Sequence, residues 1–265
     1  MTNDLVSIIM LSHNSARYVE ESVRSVINQT YNNWELIFID DSSKDDTINM
    51  IMKFKHDDAE LLSNKQIHER IKVSQTVFER GDVVNSQSAL KYASGRWIAF
   101  LNVSDVWAPD KLERQIAFME ENGYAFSYHQ YRLMDSESKD RGFLISGKEH
   151  VKHKDMLRCN WPGYLTVMYD SKIVGKIDFQ SVWTNYYALW LSVSSKHDCY
   201  LMPASLATFR TKWNRFGKIL LTNNFKWRYD AYRVEMGFGR IKSLLYTIRN
   251  IWYGIMKWKN YANRN

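Results

Sequence analysis

VSIIMLSHNSARYVEESVRSVINQTYNNWELIFIDD, residues 6–41, holds two apolar runs joined by an amphipathic segment. Leu5–Leu11 is continuously apolar, which predicts a strand buried on both faces. Ala16–Asn28 carries Tyr18, Val19, Val23, Val26 and Ile27 at helical spacing. Trp34–Ile39 is a second strand, and it stops at Asp40-Asp41-Ser42-Ser43. Asp45 or Asp46 can cap a following helix with Ile48, Ile51 and Met52 facing inward. This β-α-β-α alternation predicts an α/β fold built on a mostly parallel, doubly wound sheet flanked by helices. Polar residues that end such strands gather at the carboxyl edge, where open α/β sheets bind ligands.

Further along, Ile71–Val73 reads as a third strand, after a charged segment at 56–70 with no clear period. Asp82 can cap a helix reaching about Ala93, with Gly95 as its C′ residue. In RWIAFLNVSDVWAP (96–109), the apolar run Trp97–Leu101 ends abruptly at Asn102-Val103-Ser104-Asp105. Pro109 then opens a helix, Asp110–Glu121, with Leu112, Ile116 and Met119 on one face. Asn102 to Asp105 therefore belong at the same edge as Asp40 and Asp41. Tyr124–Met134 reads as a long strand near the sheet edge, 136–150 as a hairpin or loop, and Tyr164–Tyr169 as a strand. Tyr186–Val193 reads as helical or buried and Leu201–Arg210 as extended. From Lys218 the chain is helical and basic.

The chain of 265 residues is 45% hydrophobic, enough for a sizeable core, and has only three prolines. Cys159 and Cys199 stand far apart with no metal-ligand spacing and read as buried residues in a reducing compartment. His150 and His153 form an HxxH without acidic or thiol partners, which reads as a helix face and not a metal site. No run reaches the roughly 18 apolar residues of a spanning helix, so the expected location is cytoplasmic, peripheral to the inner face of the plasma membrane.

The net charge of +7 is unevenly distributed: after residue 200 lie 13 of the 36 basic residues and 2 of the 29 acidic ones, leaving 23 basic and 27 acidic before it. The basic character belongs to the tail. Within residues 240–265, Ile241, Leu244, Leu245, Ile248, Ile251, Trp252, Ile255 and Trp258 recur on one helical face, with Lys242, Arg249, Lys257 and Lys259 among them. A basic helix with Trp and Tyr fits the headgroup zone of an anionic membrane surface; the alternative is packing on the domain or a partner subunit. No recognition motif points to nucleic acid.

Three stretches, residues 6–47, GRWIAFLNVSDVWAPDKLERQ (95–115), and TVMYDSKIVGK with YALWL (166–191), resemble the family 2 glycosyltransferases of GT-A fold, inverting enzymes of bacterial surface-polysaccharide type. The resemblance covers roughly residues 5–215 and implies a glycosyltransferase domain over 1–215, followed by a basic helical extension over 216–265. It implies a nucleotide-sugar donor, a hydroxyl acceptor on a lipid-linked glycan, and Mg²⁺ or Mn²⁺ at the leaving diphosphate. It places Leu11, Ser12, His13, Asp40, Asp41 and Gly81 at the donor, together with Asn102 and Ser104, and Asp105 as the catalytic or metal residue.

Departures from that pattern fall on charged positions. The family's acidic central motif is here Asn102-Val103-Ser104-Asp105, and neutral oxygens hold Mg²⁺ or Mn²⁺ more weakly than carboxylates. The base position is occupied by Asn185 and Tyr186, and a phenol of reference pKa about 10 is a poor base at neutral pH. An Arg-Asn pair on the helix before Gly95 is Ser86-Gln87, and the glycine after Asp41 is Ser42. Arg210 matches, while Arg215 stands where serine is common. Asp178 and Asp198 read as surface charges, with displaced bases as the alternative, and Trp107 as a candidate wall of the acceptor cleft. Two functions follow: glycosyl transfer in surface-glycan assembly, or a catalytically inactive relative acting as a binding or scaffolding subunit at the membrane.

Overall fold

A computed structural model describes residues 3–56, 67–76, 89–175, 177, 186–211 and 224–264. Its strands are β1 (Val6–Ser12), β2 (Trp34–Asp40), β3 (Ile71–Gln75), β4 (Trp97–Asn102), β5 (Val106–Trp107), β6 (Phe126–Met134), β7 (Asp140–Ile145), β8 (His150–Val151), β9 (Met168–Asp170), β10 (Cys199–Arg210) and β11 (Ala262–Arg264). They form one sheet in the order β11-β7-β6-β9-β4-β1-β2-β3, with β10 pairing β5, β6 and β8. The run β4-β1-β2-β3 is parallel, as the sequence predicts, with Ser12 opposite Asp40 and Leu11 opposite Asn102. Beyond β4 the sheet turns mixed: β9 runs antiparallel to β4 and to β6, and β10 parallel to β6. Since β9 opposes both β4 and β6, those two point the same way. Their carboxyl ends, Asn102 and Met134, share one edge.

Alternation along the central strands divides the core into two layers. Val6, Ile8 and Met10 of β1 face the helix Ala16–Ile27 through Val19, Val23 and Val26, in a cluster that also holds Leu112 and Ile116. Ile9 and Leu11 face the other side, with Ile98, Phe100, Tyr187, Trp190 and Tyr232. Most of these side chains are fully buried, and each such Val, Leu or Ile contributes about 1.5–3 kcal/mol of transfer free energy. The basic extension belongs to this second layer: Ala231 and Tyr232 are fully buried, and Tyr232 Oη lies 2.9 Å from Tyr187 Oη.

Several local expectations change. The expected strand Tyr124–Met134 is β6, which lies between β7 and β9 and also pairs β10. Tyr164–Thr166 forms a 3₁₀ turn and only Met168–Asp170 is strand. Gly95 is not a left-handed helix cap. Its backbone N–H donates to Ser7 Oγ (2.8 Å), and a Cβ there would come within 2.5 Å of the Leu5 carbonyl oxygen; the glycine permits close approach to the start of β1. His150 lies in β8, not on a helix, and its Nε2 pairs with Asp198 at 2.6 Å, while His153 Nδ1 meets Ser194 Oγ at 3.0 Å. Trp107 is 3% exposed and donates through Nε1 to the Leu165 carbonyl, so it belongs to the core and not to a cleft wall. Both cysteines are free and buried.

Candidate active site

The carboxyl ends of β1, β2 and β4 bring most of the expected donor residues together. Asp41 N–H donates to the Ser12 carbonyl (2.8 Å) and Val103 N–H to the Leu11 carbonyl (3.3 Å). Three loops are thereby stitched into one rim.

Asp40 builds the turn after β2. It is fully buried, and its carboxylate accepts from Ser43 N–H (2.8 Å), Ser43 Oγ (2.5 Å) and Gln75 Nε2 (3.2 Å). The turn holds Ser42 at φ 58°, the left-handed conformation that explains a glycine in the family's pattern at this position. Asp41 accepts from Thr76 Oγ1 at 3.0 Å. His13 is exposed at the rim; its Nδ1 lies 2.7 Å from the Asp41 carbonyl oxygen and its Nε2 2.9 Å from Asn14 Nδ2. A neutral ring protonated on Nδ1 satisfies both contacts. Ser12 Oγ is buried without a hydrogen-bond partner, a polar atom left over beneath this rim. Asp45 fixes the neighbouring helix starts: Oδ2 accepts from Ala16 N–H (3.0 Å) and Oδ1 from Thr47 N–H (3.1 Å).

The loop after β4 is anchored from beneath. Asp105 is fully buried and its Oδ1 accepts the backbone N–H of Arg210 at 2.9 Å, while Asn102 Nδ2 is 3.4 Å from Oδ2. Burial pushes the Asp105 carboxyl up to about 7, against the hydrogen bonds and the Arg210 charge that favour its ionised form. Arg210 donates through Nε to the Ser104 carbonyl (2.9 Å), pairs with Glu21, and lies over the Tyr18 ring. Ser22 Oγ lies 2.7 Å and 2.5 Å from the Val103 and Asp105 carbonyl oxygens. The sequence reading missed Ser22, Ser43 and Thr76. Ser22 had a signal: a serine within the inward stripe of Val19, Val23 and Val26.

A hard divalent cation takes several oxygen ligands, carboxylates foremost. Asn102, Ser104 and Asp105 offer one carboxylate, buried and engaged with a backbone amide. Among the described residues no group of three His, Cys, Asp or Glu side chains is placed to hold a metal. The described donor set does not fit Mg²⁺ or Mn²⁺.

Tyr186 opens the helix Tyr186–Ser194, with its ring centroid 3.7 Å from that of Tyr164. Gly81, Asp82, Ser86, Gln87, Asp178, Asn185 and Arg215 lie outside the described residues.

The family model for glycosyl transferase family 2 matches residues 7–171. The chain is 36% identical over 250 residues to the Escherichia coli UDP-Glc:alpha-D-GlcNAc-diphosphoundecaprenol beta-1,3-glucosyltransferase WfgD, covering 92% of each chain. It is 36% identical over 214 residues to the putative teichuronic acid biosynthesis glycosyltransferase TuaG of Bacillus subtilis, covering 79% of this chain and 81% of the relative. Among solved structures, Staphylococcus aureus TarS 1–349 in complex with UDP-GlcNAc superposes with a TM-score of 0.68 at 14% identity, over 96% of this chain and 74% of that one. The mannosyltransferase PcManGT of Pyrobaculum calidifontis, in complex with GDP-Man and Mn²⁺, gives 0.66 at 12% identity, over 95% and 70%. These structural likenesses show the fold, and the family match together with the two relatives shows the lineage. The chain belongs to glycosyl transferase family 2.

Proposed function

We propose that this protein transfers a sugar from a nucleotide-sugar donor to a lipid-linked glycan acceptor in cell-surface polysaccharide assembly. The observation that carries this reading is the likeness to WfgD, which spans 92% of both chains. In this reading His13 and Asp41 receive the nucleotide, Asp40 shapes their turn, and Asp105 with Arg210 sets the position of the Asn102–Ser104 loop beside the sugar. The described loop offers a divalent cation only one carboxylate, and positioning falls to the chain's own residues.

The test is direct. The purified protein is incubated with UDP-, GDP- and dTDP-sugars and a short-chain lipid diphosphate bearing N-acetylglucosamine, with and without Mn²⁺, and the lipid is followed by mass spectrometry. A gain of one sugar unit supports the proposal. Absence of both transfer and donor binding rejects it. The neutral Asn102 and Ser104, with Asp105 turned to the Arg210 amide, favour a second reading as a binding or scaffolding subunit; donor binding without transfer selects that one.

We further infer that the protein sits on the cytoplasmic membrane surface through its C-terminal helices. The helix Arg240–Tyr261 turns Ser243, Thr247 and Asn250 inward and leaves Ile241, Leu245, Ile248 and Trp252 more than half exposed. Asn250 Nδ2 donates to Tyr187 Oη (2.8 Å) and lies 3.1 Å from Tyr232 Oη, so the polar face is the packed one. Trp227 and Val234 of the preceding helical segment are also exposed. An apolar stripe with Trp and basic neighbours suits an anionic headgroup layer. Among the described residues no helix is long and apolar enough to cross a membrane.

A further inference from the structure

In the segment Asn102–Asp105, Val103 and Asp105 are buried while Asn102 and Ser104 stay partly exposed at the rim. Each of the four backbone carbonyls has a donor. Asp105 N–H reaches the Asn102 carbonyl (2.9 Å) and Arg210 Nε the Ser104 carbonyl (2.9 Å). Ser22 Oγ serves the other two, at 2.7 Å from Val103 and 2.5 Å from Asp105. Ser22 is fully buried on the helix Ala16–Ile27, and Val103 lies 81 positions later in the chain. A hydroxyl has one proton to give, so Ser22 shares it between two carbonyls as a three-centre bond. That bond clamps the turn between Val103 and Asp105.

Ser25 and Gln29 follow Ser22 at helical spacing, and both are buried. The three are linked: Ser25 Oγ donates to the Ser22 carbonyl (2.7 Å) and Gln29 Nε2 to the Ser25 carbonyl (2.9 Å). Ser25 Oγ accepts from Trp107 N–H (3.3 Å). Gln29 Nε2 donates to the Ala108 carbonyl (2.7 Å), and its Oε1 accepts from Leu112 N–H (3.0 Å). One face of this segment therefore grips the backbone of the whole connection from β4 into the helix Lys111–Asn122. The grips differ by place. Ser25 and Gln29 hold 107, 108 and 112, which lead into the core, whereas Ser22 holds the residues around Ser104. Asn102 and Ser104 are neutral, and a neutral hydrogen bond acts only at contact distance. Side chains of that kind help a sugar react only when the loop beneath them is already set. We propose that Ser22 is a positioning residue for transfer: by clamping the Val103 and Asp105 carbonyls it sets Asn102 and Ser104 against the donor sugar. This inference rests on the transferase reading above.

The experiment compares Ser22→Ala with Ser25→Ala in the full chain, by steady-state transfer kinetics and by amide hydrogen exchange. Each variant removes one buried hydroxyl from the same helix face, so a general loss of packing strikes both alike. Ser22→Ala should lower kcat about tenfold while the donor KM stays within about threefold. Ser25→Ala should keep kcat within about twofold. Amide exchange should quicken at residues 103–106 in Ser22→Ala, and at Trp107 in Ser25→Ala. Equal losses of kcat in the two folded variants overturn the proposal, and so does a kcat for Ser22→Ala within about twofold of wild type. Where Ser22→Ala does not fold, Ser22→Cys takes its place, since a thiol nearly keeps the volume and is a weaker donor; its kcat should also fall while that of Ser25→Ala does not. A wild type that transfers no sugar rejects the proposed function, and exchange then decides the clamp. Faster exchange at 103–106 in the Ser22 variant alone supports it, and unchanged exchange there overturns it.

Discussion

Lys111 is fully buried, its Nζ 3.9 Å from the Trp107 ring centroid and without a hydrogen-bond partner. Burial holds its ammonium pKa well below the ordinary lysine value. Replacing it with Met keeps the stem and discards the stranded amine, so Lys111→Met should raise stability by about 1–3 kcal/mol, read as a higher urea midpoint at unchanged slope. His129, buried nearby with its Nε2 unpartnered, is pushed down to about 3 by burial, with the Lys111 charge adding to the effect. A folded-state value below the unfolded one means the unfolded chain binds more protons. The stability His129 contributes as a neutral ring is thus complete above about pH 6.5 and is lost progressively as pH falls towards 3. Lys111 acts with the same sign. A pH series of urea melts on His129→Leu should show a shallower loss between pH 6.5 and 4; an unchanged acid limb contradicts the assignment.

At the scale of the elements, single polar side chains hold the strands and loops in register. Glu35 on β2 is 5% exposed and accepts from Ser7 Oγ of β1 (2.5 Å), Ser94 N–H (2.8 Å), Ser94 Oγ (2.9 Å) and Lys72 Nζ of β3 (2.6 Å). Burial alone raises its pKa, yet these donors together carry it below the usual value. Glu35→Ala strands several donors and should cost about 2–4 kcal/mol in a urea melt. Asp105 plays a comparable part at the other edge, tying the loop after β4 to β10. An amide keeps an acceptor for the Arg210 N–H, so Asp105→Asn should leave the melting temperature within about 3 °C of wild type, whereas Asp105→Ala should lower stability by about 1–3 kcal/mol. Donor titrations on the folded Asn variant then separate anchoring from charge: affinity within about threefold supports an anchor, and a collapse in affinity shows that the carboxylate's charge is needed.

For the whole molecule, the C-terminal helices carry an exposed apolar stripe that the proposed membrane contact would use. Asn250 closes a network with Tyr187 in the core, and Ile241, Leu245, Ile248 and Trp252 face outward. Flotation with vesicles containing phosphatidylglycerol should recover the protein in the lipid fraction. The double variant Ile248→Glu/Trp252→Glu should reduce that fraction severalfold while leaving the far-UV circular dichroism unchanged. Retention of the double variant on vesicles would falsify the membrane reading. A wild-type dimer that dissociates in the double variant assigns the stripe to a second copy instead.

The parallel run β4-β1-β2-β3 and its shared polar edge were legible because buried strands and amphipathic helices write their periods into consecutive residues, as in Val6–Asp41. The rim residues Ser12, Asp40 and Asn102 were legible for the same reason, since strand ends fix where the next side chains emerge. Pairings distant in sequence left no such trace. That β6 also pairs β10 depends on a strand about seventy residues later. That Asp105 accepts from the Arg210 backbone N–H depends on a contact across 105 positions. The tail shows the division plainly. Its sequence determined a helix with an apolar and a polar face, and only the tertiary structure decided that Asn250, Ser243 and Thr247 turn inward, because Tyr187 and Tyr232 offer hydroxyl partners there and, among the described residues, the apolar stripe has no facing layer.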